Sequence, residues 1–72
     1  MNTIVDARGF SCPEPVLRTR NALKTLPAGE VLEVLVETVT SRENVRRFAL
    51  TQKCEVSCDE TEDGFRVIIR KP

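Results

Sequence analysis

The chain has no histidine, no tryptophan and no tyrosine, and only three phenylalanines and three glycines among its 72 residues. Without histidine there is no Cys–His or Ser–His pair for conventional nucleophilic catalysis. The three cysteines, Cys12, Cys54 and Cys58, do not make a credible four-ligand zinc set, so no metal is expected. No glycine-rich phosphate loop appears, and no bound cofactor is expected. The shortage of aromatic rings argues against direct nucleic-acid binding by modules that stack bases on exposed side chains. Eleven basic and eleven acidic residues cancel, so no net field draws the chain to polyanions or to a membrane surface. No apolar run approaches the length of a membrane span, and no basic start precedes an apolar stretch as in a signal peptide. The expected location is the cytoplasm. An odd number of cysteines in such a chain speaks for reduced thiols rather than a disulfide framework.

What is present fits a single domain over 1–72, small enough that its core is marginal. Thr3 to Val5 reads as a short strand ending at Asp6, and Arg8-Gly9 turns the chain. Val16, Leu23 and Leu26, helped by Ala22, recur at helical spacing until Pro27-Ala28-Gly29 ends that segment. Val31 to Val36 is a strand whose Leu32, Val34 and Val36 face a helical layer. Thr40-Ser41-Arg42-Glu43 has the capping-box pattern, which predicts a helix over Ser41 to Lys53 that buries Val45, Phe48 and Ala49. Its apolar stripe is short, because the next position is the polar Gln52. Cys54, Val56 and Cys58 alternate with polar residues on a strand, Glu62-Asp63-Gly64 turns, and Phe65 to Arg70 returns with Arg66 and Arg70 outward, facing Glu55, Ser57 or Asp59. The order β-α-β-α-β-β predicts an α+β two-layer sandwich, a four-stranded mixed sheet with two helices on one face.

The stretch with chemical potential is Arg8-Gly9-Phe10-Ser11-Cys12-Pro13-Glu14-Pro15. A residue before proline is pushed out of the α region, and proline is favoured at the first helical position, so Cys12 is expected to be the N-cap, with Pro13 and Pro15 in the first turn. There a thiol sits near the positive end of the helix dipole and near free N–H donors, which lowers its pKa and would favour an anionic persulfide equally. Arg8 would support that charge and Glu14 would oppose it. Phe10 is expected to pack on Val16 or Leu17 as a variant of the hydrophobic staple and so fix where the thiol points. Cys54 and Cys58 read as inner-face filler. They cannot bridge each other, since four residues of strand span about 13 Å and a disulfide needs Cα atoms within about 7 Å. The two helical segments carry most of the bases, including Arg18, Arg42, Arg46 and Arg47, which suggests a basic face for docking.

Asp6-Ala7-Arg8-Gly9-Phe10 followed by Cys12-Pro13-Glu14-Pro15 resembles the signature of the TusA/SirA/YedF family of small sulfur-carrier proteins, and the resemblance spans nearly the whole chain. The second helical segment, Ser41 to Ala49, is most similar to the YedF branch, often associated with selenium metabolism. The resemblance implies a two-layer fold like the C-terminal domain of bacterial translation initiation factor three. It implies that Cys12 receives sulfur as a persulfide from a cysteine desulfurase or another sulfurtransferase and passes it to an acceptor protein, toward tRNA thiolation, cofactor synthesis, sulfur oxidation or selenium metabolism. Cys54 and Cys58 are outside that signature. Two other readings stand beside the carrier: an RNA- or protein-binding regulatory module in which Cys12 is structural, and a thiol redox protein pairing Cys12 with Cys54 or Cys58.

Overall fold

A computed structural model describes residues 3–10 and 14–72. Six elements follow in the expected order: β1 (Thr3–Asp6), α1 (Glu14–Thr25), β2 (Val31–Val36), α2 (Val39–Thr51), β3 (Glu55–Thr61) and β4 (Gly64–Arg70). The sheet order is β1-β2-β4-β3, with β1 parallel to β2 and the other two pairings antiparallel. The sheet is therefore mixed, as the sequence pattern predicts.

The strand period places the core. Leu32, Val34 and Val36 of β2 have no exposed surface, and Val67 and Ile69 of β4, which pair directly with Val34 and Leu32, have none either. Burial of each such side chain contributes about 1.5–3 kcal/mol. Cys58 sits opposite Val67 and Val56 opposite Ile69, so the inner face of β3 is the expected one, and Cys54 is buried just before it. Outside, Arg66 reaches Asp59 at 3.4 Å and Glu33 at 3.9 Å. Asp59 is its expected partner across the hairpin.

α1 buries Pro15, Thr19 and Leu23, spaced i, i+4, i+8, with Leu26 just beyond. Thr19 interrupts an apolar stripe without penalty, because its hydroxyl donates to the Pro15 carbonyl at 2.8 Å. At the other end of α1, Lys71 Nζ donates to the carbonyls of Leu23 and Leu26 at 2.8 and 2.7 Å, adding a cation and donors to the C-terminal end of the helix.

α2 corrects the capping-box expectation. The N-cap is Thr38, in extended conformation, and its hydroxyl accepts from the Ser41 amide at 3.0 Å. Starting there aligns Ser41, Val45 and Ala49 at i, i+4, i+8, all buried, while Thr40 lies exposed. Glu43 is then too far along the helix to close a box and instead pairs with Arg46 at 2.8 Å and Arg42 at 3.3 Å. The helix also stops earlier than expected, at Thr51. Lys53 adopts a left-handed φ of 62°, its amide bonds the Leu50 carbonyl, and the Cys54 amide bonds that of Ala49, a Schellman closure built without glycine.

Gly64 opens β4 beside the end of β2. A Cβ there would stand 2.3 Å from the Val36 carbonyl oxygen and 2.8 Å from the Glu37 Cα. Only glycine lets the hairpin approach that closely.

The cap assignment separates two neighbouring threonines. Thr38→Ala is expected to cost about 1 kcal/mol in urea denaturation and Thr40→Ala close to nothing. Equal losses would return the cap to Thr40.

Candidate functional site

Because β1 and β2 are parallel, their C-terminal ends share one edge of the sheet, and each is followed by a helix that starts there. β4 begins at the same edge, opposite Val36. Cys12 and Pro13, the sulfur-bearing residue and the first-turn proline of the sequence reading, lie outside the described residues, and so does the expectation that Cys12 is the N-cap. The described residues that bracket them are the segment 7–10 and the start of α1 at Glu14.

The segment 7–10 is held from three directions. The buried Ala7 extends the parallel ladder, its amide donating to the Leu35 carbonyl at 2.9 Å. Arg8 turns back on Asp6: Nε and Nη2 each donate to one carboxylate oxygen at 3.0 Å, and the Arg8 amide adds a third bond at 3.1 Å. Nη1 of the same guanidinium donates to Asp63 of the β3–β4 turn at 3.3 Å. The Gly9 amide donates to Oε1 of Glu37, just past β2. Gly9 has φ 85°, a left-handed conformation that admits the turn. Hydrogen bonding from the Arg8 side chain, then from its amide, brings the Asp6 carboxyl down to about 2, and the same bond raises the Arg8 guanidinium above its ordinary value. Fork-to-fork pairing of this kind fixes direction as well as charge.

Phe10 departs from the staple expectation. Phe10 is 42 % exposed, and Leu17 is exposed as well. The ring is covered instead by the Arg18 guanidinium, 4.0 Å above its centroid, and Arg18 in turn meets Glu14 at 3.4 Å. A cation on the aromatic face holds the loop against the first turns of α1 without placing Phe10 in the core. Of the two described motif residues, Pro15 is fully buried and Glu14 is exposed.

Of the four docking arginines, two lie over aromatic rings. Arg18 lies over Phe10, beyond β1, whereas Arg42 lies 4.7 Å over the ring of Phe65 on β4. Arg42 and Arg46 share Glu43, whose carboxyl is lowered chiefly by the hydrogen bond from Arg46. Arg47 donates to the Asn44 side chain and the Glu43 carbonyl. Cys58 belongs to the outer strand β3, and Cys54 lies near Leu23 at the far end of α1; burial pushes its thiol up, partly offset by Lys71. Among the described residues, no group of three His, Cys, Asp or Glu side chains is arranged to hold a metal ion.

Sequence reasoning missed Glu37 and Asp63 as partners of this segment. Each is an ordinary surface acid in the sequence, and each reaches it across the fold, 28 and 55 residues away.

A mixed four-stranded sheet under two helices, with a clamped loop running into the first helix, defines a small two-layer α+β domain built around that loop–helix junction. The chain matches the family described as Sulfurtransferase TusA over residues 3–71 and belongs to it. It is 43 % identical to a protein of Methanocaldococcus jannaschii that carries a provisional sulfur-carrier name, over 93 % of this chain and 91 % of that one. It is 31 % identical to the sulfur carrier protein TusA of Pseudomonas savastanoi, over 99 % of this chain and 86 % of the relative. The crystal structure of the SirA-like protein from Desulfitobacterium hafniense superposes with a TM-score of 0.82 at 29 % identity, each chain covered completely. These relatives support a sulfur-carrier role.

The Asp6–Arg8 pair is open to titration. With the folded-state value depressed from 3.8 to about 2, the pair stabilises the fold fully above the ordinary value, and that contribution disappears as pH falls through about 2. Carboxyl-carbon NMR is expected to show Asp6 titrating near the lower value in the wild type and returning toward 3.8 in Arg8→Ala. An unmoved Asp6 in the variant would mean that Arg8 does not set it.

Proposed function

We propose that the protein is a sulfur-relay carrier in which Cys12 bears the sulfur. In the first step the Cys12 thiolate attacks the terminal sulfur of a donor persulfide, on a cysteine desulfurase or another sulfurtransferase. The new S–S bond forms on Cys12 and the donor cysteine leaves as a thiolate. In the second step an acceptor thiolate attacks the same terminal sulfur, and the Cys12 thiolate leaves. Both steps are exchanges that need no external oxidant or reductant. They need a nucleophile that is also a good leaving group, which a cysteine of lowered pKa provides.

The observation that carries this reading is membership of the TusA family over residues 3–71. Two features of the junction support it. Arg8 and Gly9, just before the motif, are pinned by Asp6, Asp63 and Glu37. The positive end of α1 and the Arg18 side chain lie on the same side of the molecule as that segment. Pro15, in the first turn of α1, is fully buried and ties that turn to the core. Arg8 supports the site through the loop it closes, since its guanidinium is already shared between two carboxylates.

The positions of the other thiols favour exchange with partner proteins over an internal redox pair. Cys54 lies beside Leu23, near the opposite end of the helix that Cys12 precedes, and Cys58 is on the strand farthest from β1. A regulatory RNA-binding role is disfavoured by the pairing of the α2 arginines with Glu43 and Asn44. No helix among the described residues is long and apolar enough to cross a membrane. We place the carrier in the cytoplasm, where the acceptor pathway is tRNA thiolation, cofactor synthesis, sulfur oxidation or, if the YedF-like second helix is a guide, selenium metabolism.

Incubation with a cysteine desulfurase and cysteine, read by intact-protein mass spectrometry, is expected to add one sulfur atom to the wild type and none to Cys12→Ser. The added mass should vanish on treatment with a thiol reductant. No gain on the wild type, or an equal gain on the variant, removes the assignment.

A further inference from the structure

A groove of about 370 Å³ lies between the second halves of α1 and α2, at the opposite end of the helical layer from Arg8 and Glu14. Leu23 and Cys54, both buried, and the half-buried Phe48 form its apolar floor, while Arg20, Lys24 and Lys71 line its rim. Gln52, the C-cap of α2, and Pro72 complete its lining. No acidic side chain lines it.

The basic side chains divide into those that meet a carboxylate and those that meet none. Arg8, Arg18, Arg42, Arg46 and Arg66 each meet a carboxylate. Arg20 and Lys24 at the groove meet none among the described residues, and neither do Arg47, Lys53 and Arg70 elsewhere; Arg20 and Lys24 stand four residues apart on one helix, where like charges repel. Lys71 is committed to the end of α1 through its two carbonyl bonds. An unfilled apolar floor beside two uncompensated cations is complementary to an apolar group flanked by anions.

We propose that this groove docks an acidic amphipathic segment of a partner protein, with an apolar side chain on Leu23 and Phe48 and flanking carboxylates on Arg20 and Lys24. The groove is partly open to solvent, whereas sites for small ligands enclose most of the ligand surface. An elongated segment laid between two helices suits it better. Burial keeps the Cys54 thiol protonated, so it serves as apolar floor rather than as a reactive group. An occupant here leaves the opposite edge, where the chain enters α1, uncovered. The proposal does not depend on the sulfur-carrier reading.

The test uses the complete chain carrying Cys12→Ser, labelled with nitrogen-15, and an acetylated, amidated peptide of sequence EEFLEE. Saturable amide shifts centred on Arg20, Lys24, Phe48, Gln52 and Cys54 are expected, weakening as salt is raised. The double variant Arg20→Gln, Lys24→Gln should weaken binding by about tenfold or more while the remaining spectrum is kept. Four results overturn the proposal: equal binding of KKFLKK; equal binding of EESSEE, which would leave charge alone; equal saturation by octanoate, which would make this a small-molecule site; and the same shifts on raising protein concentration without peptide, which would make the occupant a second copy. Because the readout is peptide binding by a chain without the Cys12 thiol, its failure leaves the sulfur-loading result standing, and the reverse also holds.

Discussion

The parallel pairing of β1 with β2 is the constraint on which the rest of the molecule depends. Parallel neighbours cannot be joined by a tight turn, so a helix must carry the chain back, and it must begin where β1 ends. β2 is central in the sheet and buries its whole inner face, so its C-terminal end is among the best fixed points of the protein. Glu37 extends from that point to the Gly9 amide, and Gly64 lets the hairpin approach it closely enough for Asp63 to reach Arg8. The clamp on residues 7–10 is thereby tied to the core at one end of the sheet.

The electrostatics divide the same way. Around the junction Asp6 is answered by Arg8 and Glu14 by Arg18, and on α2 Glu43 is answered by Arg46. These pairs are exposed, and exposed pairs contribute little to stability. Their effect is geometric, since each one restricts a side chain that would otherwise sample several rotamers beside the loop. Arg20 and Lys24, like Arg47, Lys53 and Arg70, meet no carboxylate among the described residues.

The strands and helices were legible because each buries one face, and Leu32, Val34 and Val36 or Val45 and Ala49 repeat at the period their element imposes. The cap of α2 was less so. Thr38 and Thr40 are both chemically able to cap, and only the burial of Ser41 decides between them. Thr19 was hidden because its polarity is cancelled by a bond to Pro15 within its own helix. Phe10 was misjudged because apolar character does not reveal that a cation will cover it. The motif around Cys12 was visible in sequence as local punctuation, glycine before and prolines after. Its supports were not, since Glu37 and Asp63 acquire their meaning only when the sheet brings distant segments to one edge.

The contact between Lys71 and the end of α1 has a consequence for how the chain is made. α1 is the first helix in the sequence, yet the carbonyls of Leu23 and Leu26 receive their side-chain donor from a residue that follows β4. During synthesis the first β-α-β unit emerges with its helix unfinished at one end and β2 still lacking its antiparallel neighbour. The chain is then closed late, by its final strand, and the order of emergence opposes any long-lived half-folded form of the first crossover. Folding is therefore expected to be a whole-chain event, with the loop that leads to Cys12 reaching its working shape only after the opposite end of the sequence has docked.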